Sequence, residues 1–271
     1  GWINGHTYAL YGPLSIGATT ILLEKPTSLL NKKILTDILS NLKVNILYFP
    51  VTLIRLIKAL KDQHRSKFNN LKLLGSMGEP LSKYIGSWFS NHYSSKKLQI
   101  INTYFQTETG GIISSPSYKD KLSSVPIGTV GKPITKNLGL FIDSKKNNEK
   151  AEIKIKNPWP GCMINVINNK NSFKEYWDNN QNFRLFDFGS YDKKNNLLIH
   201  GRIDDVINIR GHRIGSAEIE SILLKSNKIK EVCAVAIDDH LAGKELIIFL
   251  VANTKRNIIN LVEDLIMKNF G

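Results

Sequence analysis

One short loop concentrates hydroxyl groups, a carboxylate and glycines. Gln106 to Gly111 has the sequence QTETGG. Threonine hydroxyls and a glycine backbone suit phosphate oxygens, and the carboxylate of Glu108 suits a divalent cation. Ordinary polar turns after a strand have a similar composition. The loop by itself therefore leaves two interpretations open, a phosphate-binding loop and a plain turn.

A second cluster gathers arginine, aspartate and glycine just before a helical pattern. Residues 201–220 have the sequence GRIDDVINIRGHRIGSAEIE, which contains Arg202, Arg210 and Arg213. Arginine pairs well with phosphate and with ribose hydroxyls. Charged loops more often form weak ion pairs at the surface. The presence of both clusters in one chain favours the functional interpretation.

The elements around the first loop alternate between helix and strand. Helical spacing and short apolar runs predict, in chain order, a helix over 33–42, a strand over 44–49, a helix over 51–60, a strand over 71–76, a helix over 81–92 and a strand over 98–103. Repeated βα units predict a parallel sheet, whose ligands bind beyond the carboxyl ends of the strands. The loops 75–80 and 104–111 follow two of these strands, so we expect them to be neighbours.

The pattern changes twice more along the chain. From residue 126 to 200, short strands separated by Gly, Pro and Asn predict a small β-rich subdomain. After Gly201 a Gly/Arg/Asp loop leads into a helix, two strands and a final helix, predicted over 217–224, 232–237, 246–251 and 257–270. We predict an α/β fold in which residues 1–203, the parallel sheet and the β-rich subdomain, are the C-terminal portion of a large domain. Residues 204–271 are then an incomplete small α+β domain.

Composition excludes several classes of protein. Among 271 residues, 42% are hydrophobic, but no apolar run reaches the length of about 18 that suggests a membrane helix. Two distant cysteines do not suggest a disulfide framework. The net charge of +14 comes from lysines spread among Asn and Ile, without interleaved aromatic residues for base stacking. We expect a cytoplasmic location, small-molecule substrates, and neither a nucleic-acid nor a membrane partner.

An ordered set of motifs carries a family resemblance. GWINGHTYALYGPLSIGATT, LLGSMGEP, NTYFQTETGG, NPWPG and GRIDDVINIRGHRIGSAEIE follow one another along the chain. Together they resemble the AMP-forming acetyl-CoA synthetases of the adenylate-forming superfamily, over essentially the whole chain. The first residue is not methionine and the last follows a helical pattern, so we interpret the chain as a piece of a longer protein.

The resemblance implies a ligase reaction in two steps. Members of the family join acetate to ATP, giving acetyl-AMP and pyrophosphate, and then transfer the acetyl group to coenzyme A with release of AMP. Mg²⁺ accompanies ATP. A small lid domain rotates between the steps, and Asp204 is the candidate hinge. The alternatives are a propionyl-CoA synthetase and a degenerate relative that binds nucleotide without catalysis.

The resemblance also implies where the ligands bind. The adenine is expected to contact Gly78, Glu79 and Pro80, and the rest of the nucleotide Asn102, Thr103, Tyr104, Phe105, Gln106 and Thr107. Glu108 is expected to hold Mg²⁺. The ribose hydroxyls match Asp187 and Arg202, and the phosphate matches Arg213. The acyl pocket matches Ile3, Asn4, Met77 and Phe105, coenzyme A matches Asn4 and Arg210, and a lid magnesium site matches Leu224, Ser226 and Ile229.

Some residues depart from the family pattern. The usual Trp-Trp is Tyr104-Phe105, which opens the acyl pocket, whereas Met77 in place of Val fills it. We expect acetate as the first choice and propionate as the second. Three further departures indicate relaxed constraint: Asn102 for Asp, Leu185-Phe186 for Thr-Gly or Ser-Gly, and Ser226 for His.

Two segments of the family pattern are not found in residues 1–271. The glycine-rich phosphate loop belongs upstream of the first motif, and the catalytic lysine belongs after Gly271. Lys244 and Lys268 are not at its position. We therefore expect these 271 residues alone to be unable to adenylate acetate.

Overall fold

The computed structural model describes residues 3–60, 67–79, 81–94, 98–120, 125–144, 149–203, 206–209, 212–239, 243–253 and 257–270. The chain divides into two compact units. Unit 1 comprises Gly1–Phe141, Lys154–Leu185 and Lys193–Leu197, and unit 2 comprises Ile142–Ile153, Phe186–Asp192 and Leu198–Gly271. This division passes within strands, and the domain boundary near Asp204 stays a prediction.

Helices of three kinds occur in the described residues. The α-helices are α1 (Gly12–Ser15), α2 (Lys32–Asn41), α3 (Val51–Ala59), α4 (Lys83–Tyr93), α5 (Lys170–Glu175), α6 (Ser216–Leu223) and α7 (Ile258–Phe270). A π-helix covers Gly5–Tyr11, and 3-10 helices cover Pro26–Leu30, Thr107–Thr109 and Lys136–Leu138. Within the described part of the chain, none of these helices is long and apolar enough to span a membrane.

The strands form several small sheets. They are β1 (Ile46–Pro50), β2 (Leu73–Met77), β3 (Gln99–Asn102), β4 (Ser114–Ser115), β5 (Lys132–Pro133), β6 (Leu140–Ile142), β7 (Ala151–Ile155), β8 (Phe183–Tyr191), β9 (Leu197–Arg202), β10 (Val206–Ile209), β11 (His212–Gly215), β12 (Ile229–Asp239) and β13 (Gly243–Ala252). The sheet orders are β1-β2-β3, β4-β5, β6-β7-β8-β9, β10-β11 and β12-β13.

The sheet β1-β2-β3 in unit 1 is parallel, as the alternating pattern predicts. Helix α3 follows β1 directly and buries Val51, Ile54 and Ile57 at helical spacing. Complete burial of such a side chain contributes about 1.5–3 kcal/mol. Helix α2 begins where the Asn31 side chain accepts hydrogen bonds from two backbone amides. These elements hold the carboxyl ends of β2 and β3 in place.

The β-rich region is confirmed by the four-stranded sheet β6-β7-β8-β9. Helix α5 also lies in this region, where the sequence pattern indicated strands alone. Asn169 begins this short helix, because its side chain accepts a hydrogen bond from the amide of Ser172.

Unit 2 contains the two hairpins that follow Gly201. Strands β10 and β11 pair antiparallel, and so do β12 and β13. Helices α6 and α7 and the sheet β12-β13 share a core that includes Ile219, Leu223 and Val262. The segment expected to be a Gly/Arg/Asp loop therefore contains two strands. Each has only four residues, too few for side-chain alternation to stand out among glycine and charged residues.

Candidate functional site

The loops that follow β2 and β3 lie side by side in unit 1, as predicted. The Ser76 hydroxyl donates to Oδ1 of Asn102 at 3.0 Å, and the Thr103 hydroxyl donates to the carbonyl oxygen of Ser76 at 2.8 Å. Ser76 and Asn102 are both buried. Nδ2 of Asn102 is buried without a hydrogen-bond partner. The strand ends therefore carry a polar cluster beneath the two loops.

Tyr48 on β1 supports this cluster. Its hydroxyl lies 2.8 Å from the Thr103 hydroxyl, which already donates to Ser76, so the phenol is the donor. Burial raises the pKa of Tyr48 to about 12, although the hydrogen bond with Thr103 opposes part of this effect, and Tyr8 adds to it. A Cβ on Gly75 would lie 2.5 Å from the Tyr48 ring, so glycine is needed for this close approach.

The QTETGG loop forms a 3-10 turn over Thr107–Thr109. The amide of Gln106 donates to the Thr109 hydroxyl at 3.0 Å, and Gly110 ends the turn with a φ of 67°. A Cβ on Gly110 would lie 1.9 Å from the carbonyl oxygen of Gly161. Thr109 is buried, whereas Thr107 is exposed. The turn therefore fixes its backbone internally and leaves the side chain of Thr107 at the surface.

Glu108 is held by groups on both its side chain and its backbone. The Tyr176 hydroxyl donates to Oε1 of Glu108 at 3.0 Å, and the amide of Met163 donates to the Glu108 carbonyl at 2.7 Å. Among the described residues, no group of three or more His, Cys, Asp or Glu side chains is placed to hold a metal ion. Mg²⁺ commonly uses one or two carboxylates together with substrate phosphates and water. The carboxylate of Glu108 therefore fits the role of a single protein ligand.

The loop after β2 combines an open glycine with an ion pair. Gly78 has a φ of 88°, and a Cβ there would meet no atom within 4 Å. The Glu79 carboxylate lies 2.7 Å from Nη1 of Arg55 on α3. Open space above the Gly78 backbone is compatible with a flat ring lying there. Pro80 lies outside the described residues.

The residues proposed for the acyl pocket are partly brought together. Nδ2 of Asn4 lies 2.6 Å from the sulfur of Met77, while Oδ1 of Asn4 is buried without a partner. The ring of Phe105 lies 5.9 Å from that of Tyr8. The Tyr8 hydroxyl accepts a hydrogen bond from the amide of Ile112. Ile3 is half-buried near the start of the same segment.

Tyr8 was not identified from the sequence, because it lies in a π-helix that has no simple periodic signature. The amide of Gly12 donates to the carbonyl of Thr7, and a Cβ on Gly12 would lie 2.5 Å from that oxygen. Glycine at position 12 therefore permits the wider π-helical turn that ends the segment carrying Tyr8. Tyr48, Arg55 and Tyr176 were also missed, since isolated phenols and arginines carry no motif.

The residues expected to bind ribose lie in unit 2. Nη1 of Arg202 lies 3.5 Å from Oδ1 of Asp187, and its guanidinium lies over the Phe186 ring at 5.7 Å. Asp187 is buried, whereas Arg202 is partly exposed. At 3.5 Å, Arg202 and Asp187 form a loose ion pair rather than a tight hydrogen bond. A ligand hydroxyl that accepts from Arg202 and donates to Asp187 matches the chemistry of this pair.

The structure describes the environment of the remaining predicted residues only in part. Asp204 and Arg210 lie outside the described residues, and only the backbone of Arg213 is described, in β11. Leu224, Ser226 and Ile229 form the turn after α6, where the amide of Ile229 donates to the Ser226 carbonyl at 3.1 Å. Their side chains offer one hydroxyl and no carboxylate, so they do not by themselves fit a hard cation. The lid magnesium site stays a prediction.

Comparisons with known proteins identify relatives of this chain. Curated relatives named acetyl-coenzyme A synthetase include those of Psychromonas ingrahamii, 33% identical over 93% of this chain and 40% of the relative, and of Herminiimonas arsenicoxydans, 35% identical over 94% and 41%. The chain thus spans about two fifths of the length of the curated relatives it matches.

Solved structures show the same fold. An anthranilate CoA ligase, AuaEII, in complex with anthranoyl-AMP superposes with a TM-score of 0.84 at 18% identity, covering 100% of this chain and 52% of that one. A benzoate CoA ligase from Burkholderia xenovorans LB400 gives 0.80 at 20% identity, covering 100% and 53%. The family described as AMP-binding enzyme matches residues 1–163. With more than half of its residues matched, this chain belongs to the AMP-binding enzyme family.

Proposed function

We propose that the full protein containing this chain activates acetate with ATP and transfers the acetyl group to coenzyme A. The observation that carries the proposal is the QTETGG turn beside the carboxyl ends of β2 and β3, in a chain whose curated relatives are named acetyl-coenzyme A synthetase. Ligands of parallel sheets bind at such strand ends.

The chemistry proceeds in two balanced steps. A carboxylate oxygen of acetate attacks the α-phosphorus of ATP, and the bond to pyrophosphate breaks to give acetyl-AMP. The sulfur of coenzyme A then attacks the acetyl carbonyl carbon, and the bond from that carbon to the AMP oxygen breaks. The thiol proton is lost to solvent. Acetyl-CoA, AMP and pyrophosphate are the products.

We assign binding and orientation in these steps to individual residues of this chain. Thr107 faces solvent at the turn and is assigned to the α-phosphate. Asp187 and Arg202 are assigned to the ribose hydroxyls as acceptor and donor. Mg²⁺, held through Glu108, neutralises phosphate charge when it is bound. Asn4 and Arg210 are assigned to coenzyme A, Arg213 to phosphate and Asp204 to the hinge, and all of these assignments rest on the family resemblance.

Acyl preference is assigned to the contact between Asn4 and Met77 and to Phe105. The Met77 sulfur lies against Nδ2 of Asn4, which supports a short pocket closed by methionine. Acetate is therefore the proposed substrate and propionate the second choice. One methylene in such a pocket changes the activation free energy by about 1–3 kcal/mol. The reactants are small molecules, and we assign the full protein to the cytoplasm.

A direct test measures pyrophosphate release by the full-length protein with ATP, Mg²⁺ and acetate, propionate or butyrate. The proposal expects release in the order acetate, propionate, butyrate, and production of the matching acyl-CoA after coenzyme A is added. The 271-residue chain measured in parallel should release none. A folded full-length protein that binds AMP but releases no pyrophosphate with any of the three acids would instead be a nucleotide-binding relative without catalysis.

A further inference from the structure

Four side chains in unit 2 form one hydrogen-bonded chain that the proposed reaction does not use. The Ser190 hydroxyl lies 2.8 Å from Nε2 of His200, and Nδ1 of His200 lies 3.3 Å from Oε1 of Glu218. Nζ of Lys150 donates to both carboxylate oxygens of Glu218 at 2.7 Å. The network joins strands β8 and β9, helix α6 and the residue just before β7.

The order of hydroxyl, imidazole and carboxylate resembles a nucleophilic triad. Its surroundings argue against that chemistry. Ser190 is 7% exposed and His200 8%, so the hydroxyl is not presented to a substrate carbonyl. The ring of Phe188 lies edge-on to His200 at 6.1 Å, and Glu218 is shared with Lys150. The network is therefore structural rather than nucleophilic.

The network stays satisfied in both charge states of the imidazole. Burial raises the pKa of the Glu218 carboxyl, but the hydrogen bonds and charges of His200 and Lys150 outweigh it and lower the pKa to about 2. An ionised Glu218 requires a proton on Nδ1 of His200. Nε2 then accepts from the Ser190 hydroxyl when the ring is neutral and donates to it when the ring is charged.

Glu218 also fixes the start of α6 against β9. Its Oε2 accepts from the amide of Gly215 at 3.3 Å. A Cβ on Gly215 would lie 2.0 Å from the carbonyl oxygen of His200, so the two backbones touch where β11 enters the helix. The network thus connects both ends of the segment between His200 and Glu218.

The same two strands carry the ribose-binding pair. His200 lies two residues before Arg202 on β9, and Ser190 lies three residues after Asp187 on β8. Asp187 and Arg202 lie 3.5 Å apart across these two strands, so the spacing between β8 and β9 contributes to their separation. The hydrogen bond between Ser190 and His200 joins the two strands within three residues of this pair.

We propose that Lys150, His200 and Glu218 are positioning residues that hold Asp187 and Arg202 in the geometry that binds the ribose hydroxyls of a nucleotide. This inference rests on the proposed function only in assigning the ribose to Asp187 and Arg202. Lys150 acts through the orientation of Glu218, and Glu218 acts through His200.

The test measures AMP affinity of the full-length protein by calorimetry. Lys150→Met and Glu218→Gln should each weaken AMP binding by about tenfold, by analogy with the loss seen when the partners that orient metal ligands are removed. Lys150→Arg keeps two donors for the carboxylate and should bind within about twofold of wild type. Lys268→Met replaces an exposed lysine of the same unit and serves as the matched control.

Thermal unfolding of each variant separates loss of positioning from loss of fold. Where Lys150→Met does not fold, Glu218→Gln decides, because glutamine keeps the size and one acceptor oxygen. Wild-type affinity in the folded variants overturns the proposal, and so does equal weakening by Lys150→Met and Lys150→Arg. If the wild-type protein binds AMP but shows no acetate-dependent pyrophosphate release, the proposed function is refuted, while the comparison of AMP affinities among the variants still tests the positioning role. A wild-type protein that does not bind AMP contradicts both the proposed function and the positioning role.

Discussion

The guanidinium of Arg202 lies 5.7 Å from the centroid of the Phe186 ring, and Phe186 adopts a φ of 54° within strand β8. A bulky side chain at positive φ costs about 1–3 kcal/mol. A cation over an aromatic face offsets about 0.5–1 kcal/mol of this at an exposed site. Backbone strain is therefore stored directly before Asp187, where the family pattern has glycine.

Two substitutions at Phe186 isolate that strain. Phe186→Ala and Phe186→Gly both remove the ring, but only glycine adopts positive φ without steric cost. We expect Phe186→Gly to exceed Phe186→Ala in free energy of unfolding by about 1 kcal/mol, the reverse of the usual order within a strand. Urea unfolding of the two variants measures the difference. An alanine variant as stable as the glycine variant would contradict strain at this position.

Gly110 in the QTETGG turn should tolerate no side chain. Gly110 and Gly17 have similar φ values of 67° and 74°, but only at Gly110 would a Cβ meet an atom, the Gly161 carbonyl oxygen at 1.9 Å. Gly17→Ala should cost about 1 kcal/mol from the backbone alone. Gly110→Ala should cost clearly more and also weaken AMP binding, because the turn must shift. Equal losses of stability in the two variants would show that the contact with Gly161 is not limiting.

The phenol of Tyr48 should make stability depend on alkaline pH. Burial raises its pKa to about 12 in the folded protein, whereas an unfolded phenol titrates near pH ~10. Its stabilisation is therefore complete below pH ~10 and is lost as the pH rises toward the folded value.

Replacement of Tyr48 by phenylalanine tests this dependence. At pH 8 the Tyr48→Phe variant should be less stable than wild type by about 1 kcal/mol, since the hydrogen bond to Thr103 is lost. Above pH ~10 the difference in free energy of unfolding between wild type and Tyr48→Phe should shrink by up to about 1.4 kcal/mol per pH unit. Urea unfolding at a series of pH values measures the gap, and a constant gap up to pH 11 would refute the linkage.

A part-buried ion pair in unit 1 should contribute to stability. Nζ of Lys154 lies 2.9 Å from Oδ2 of Asp178, with side chains 9% and 15% exposed. Burial raises the pKa of the Asp178 carboxyl, but hydrogen bonds from Asn182, Lys154 and the amide of Asn180 hold it well below its usual range. This stabilisation is present above the unfolded pKa of about 3.9 and is lost as pH falls below it.

Lys154→Met should cost about 1.5–3 kcal/mol at neutral pH, because the half-buried carboxylate of Asp178 loses a charged hydrogen-bond donor. Lys136→Met, at an exposed lysine of the same unit, should change stability by less than about 0.5 kcal/mol. The gap between Lys154→Met and wild type should narrow below pH ~4. If the two variants unfold at the same urea concentration, the pair does not stabilise the fold.

The elements that could be predicted are those whose signals are local. Apolar runs and helical spacing predict β1, α3, β2, α4 and β3, and parallel pairing then places Ser76 beside Asn102. The hairpin β10-β11 was missed because its strands are short and rich in charge and glycine.

The phenols that support the loops could not be predicted. Tyr48 contacts Thr103 across 55 residues, and Tyr176 contacts Glu108 across 68. Separations of this size are set by tertiary packing, and no periodic pattern in the sequence records them. The network of Lys150, His200 and Glu218 could not be predicted for the same reason, since Lys150 and Glu218 are 68 residues apart in the sequence.

The path of the carboxylate oxygen tests the proposed adenylation most directly. The full-length protein is incubated with ATP, Mg²⁺, coenzyme A and acetate labelled with ¹⁸O at both oxygens, and the AMP is analysed by mass spectrometry. Attack of acetate on the α-phosphorus predicts AMP with one ¹⁸O in its phosphate and unlabelled pyrophosphate. Unlabelled AMP, or release of ADP and phosphate in its place, would contradict adenylation of the acid by this protein.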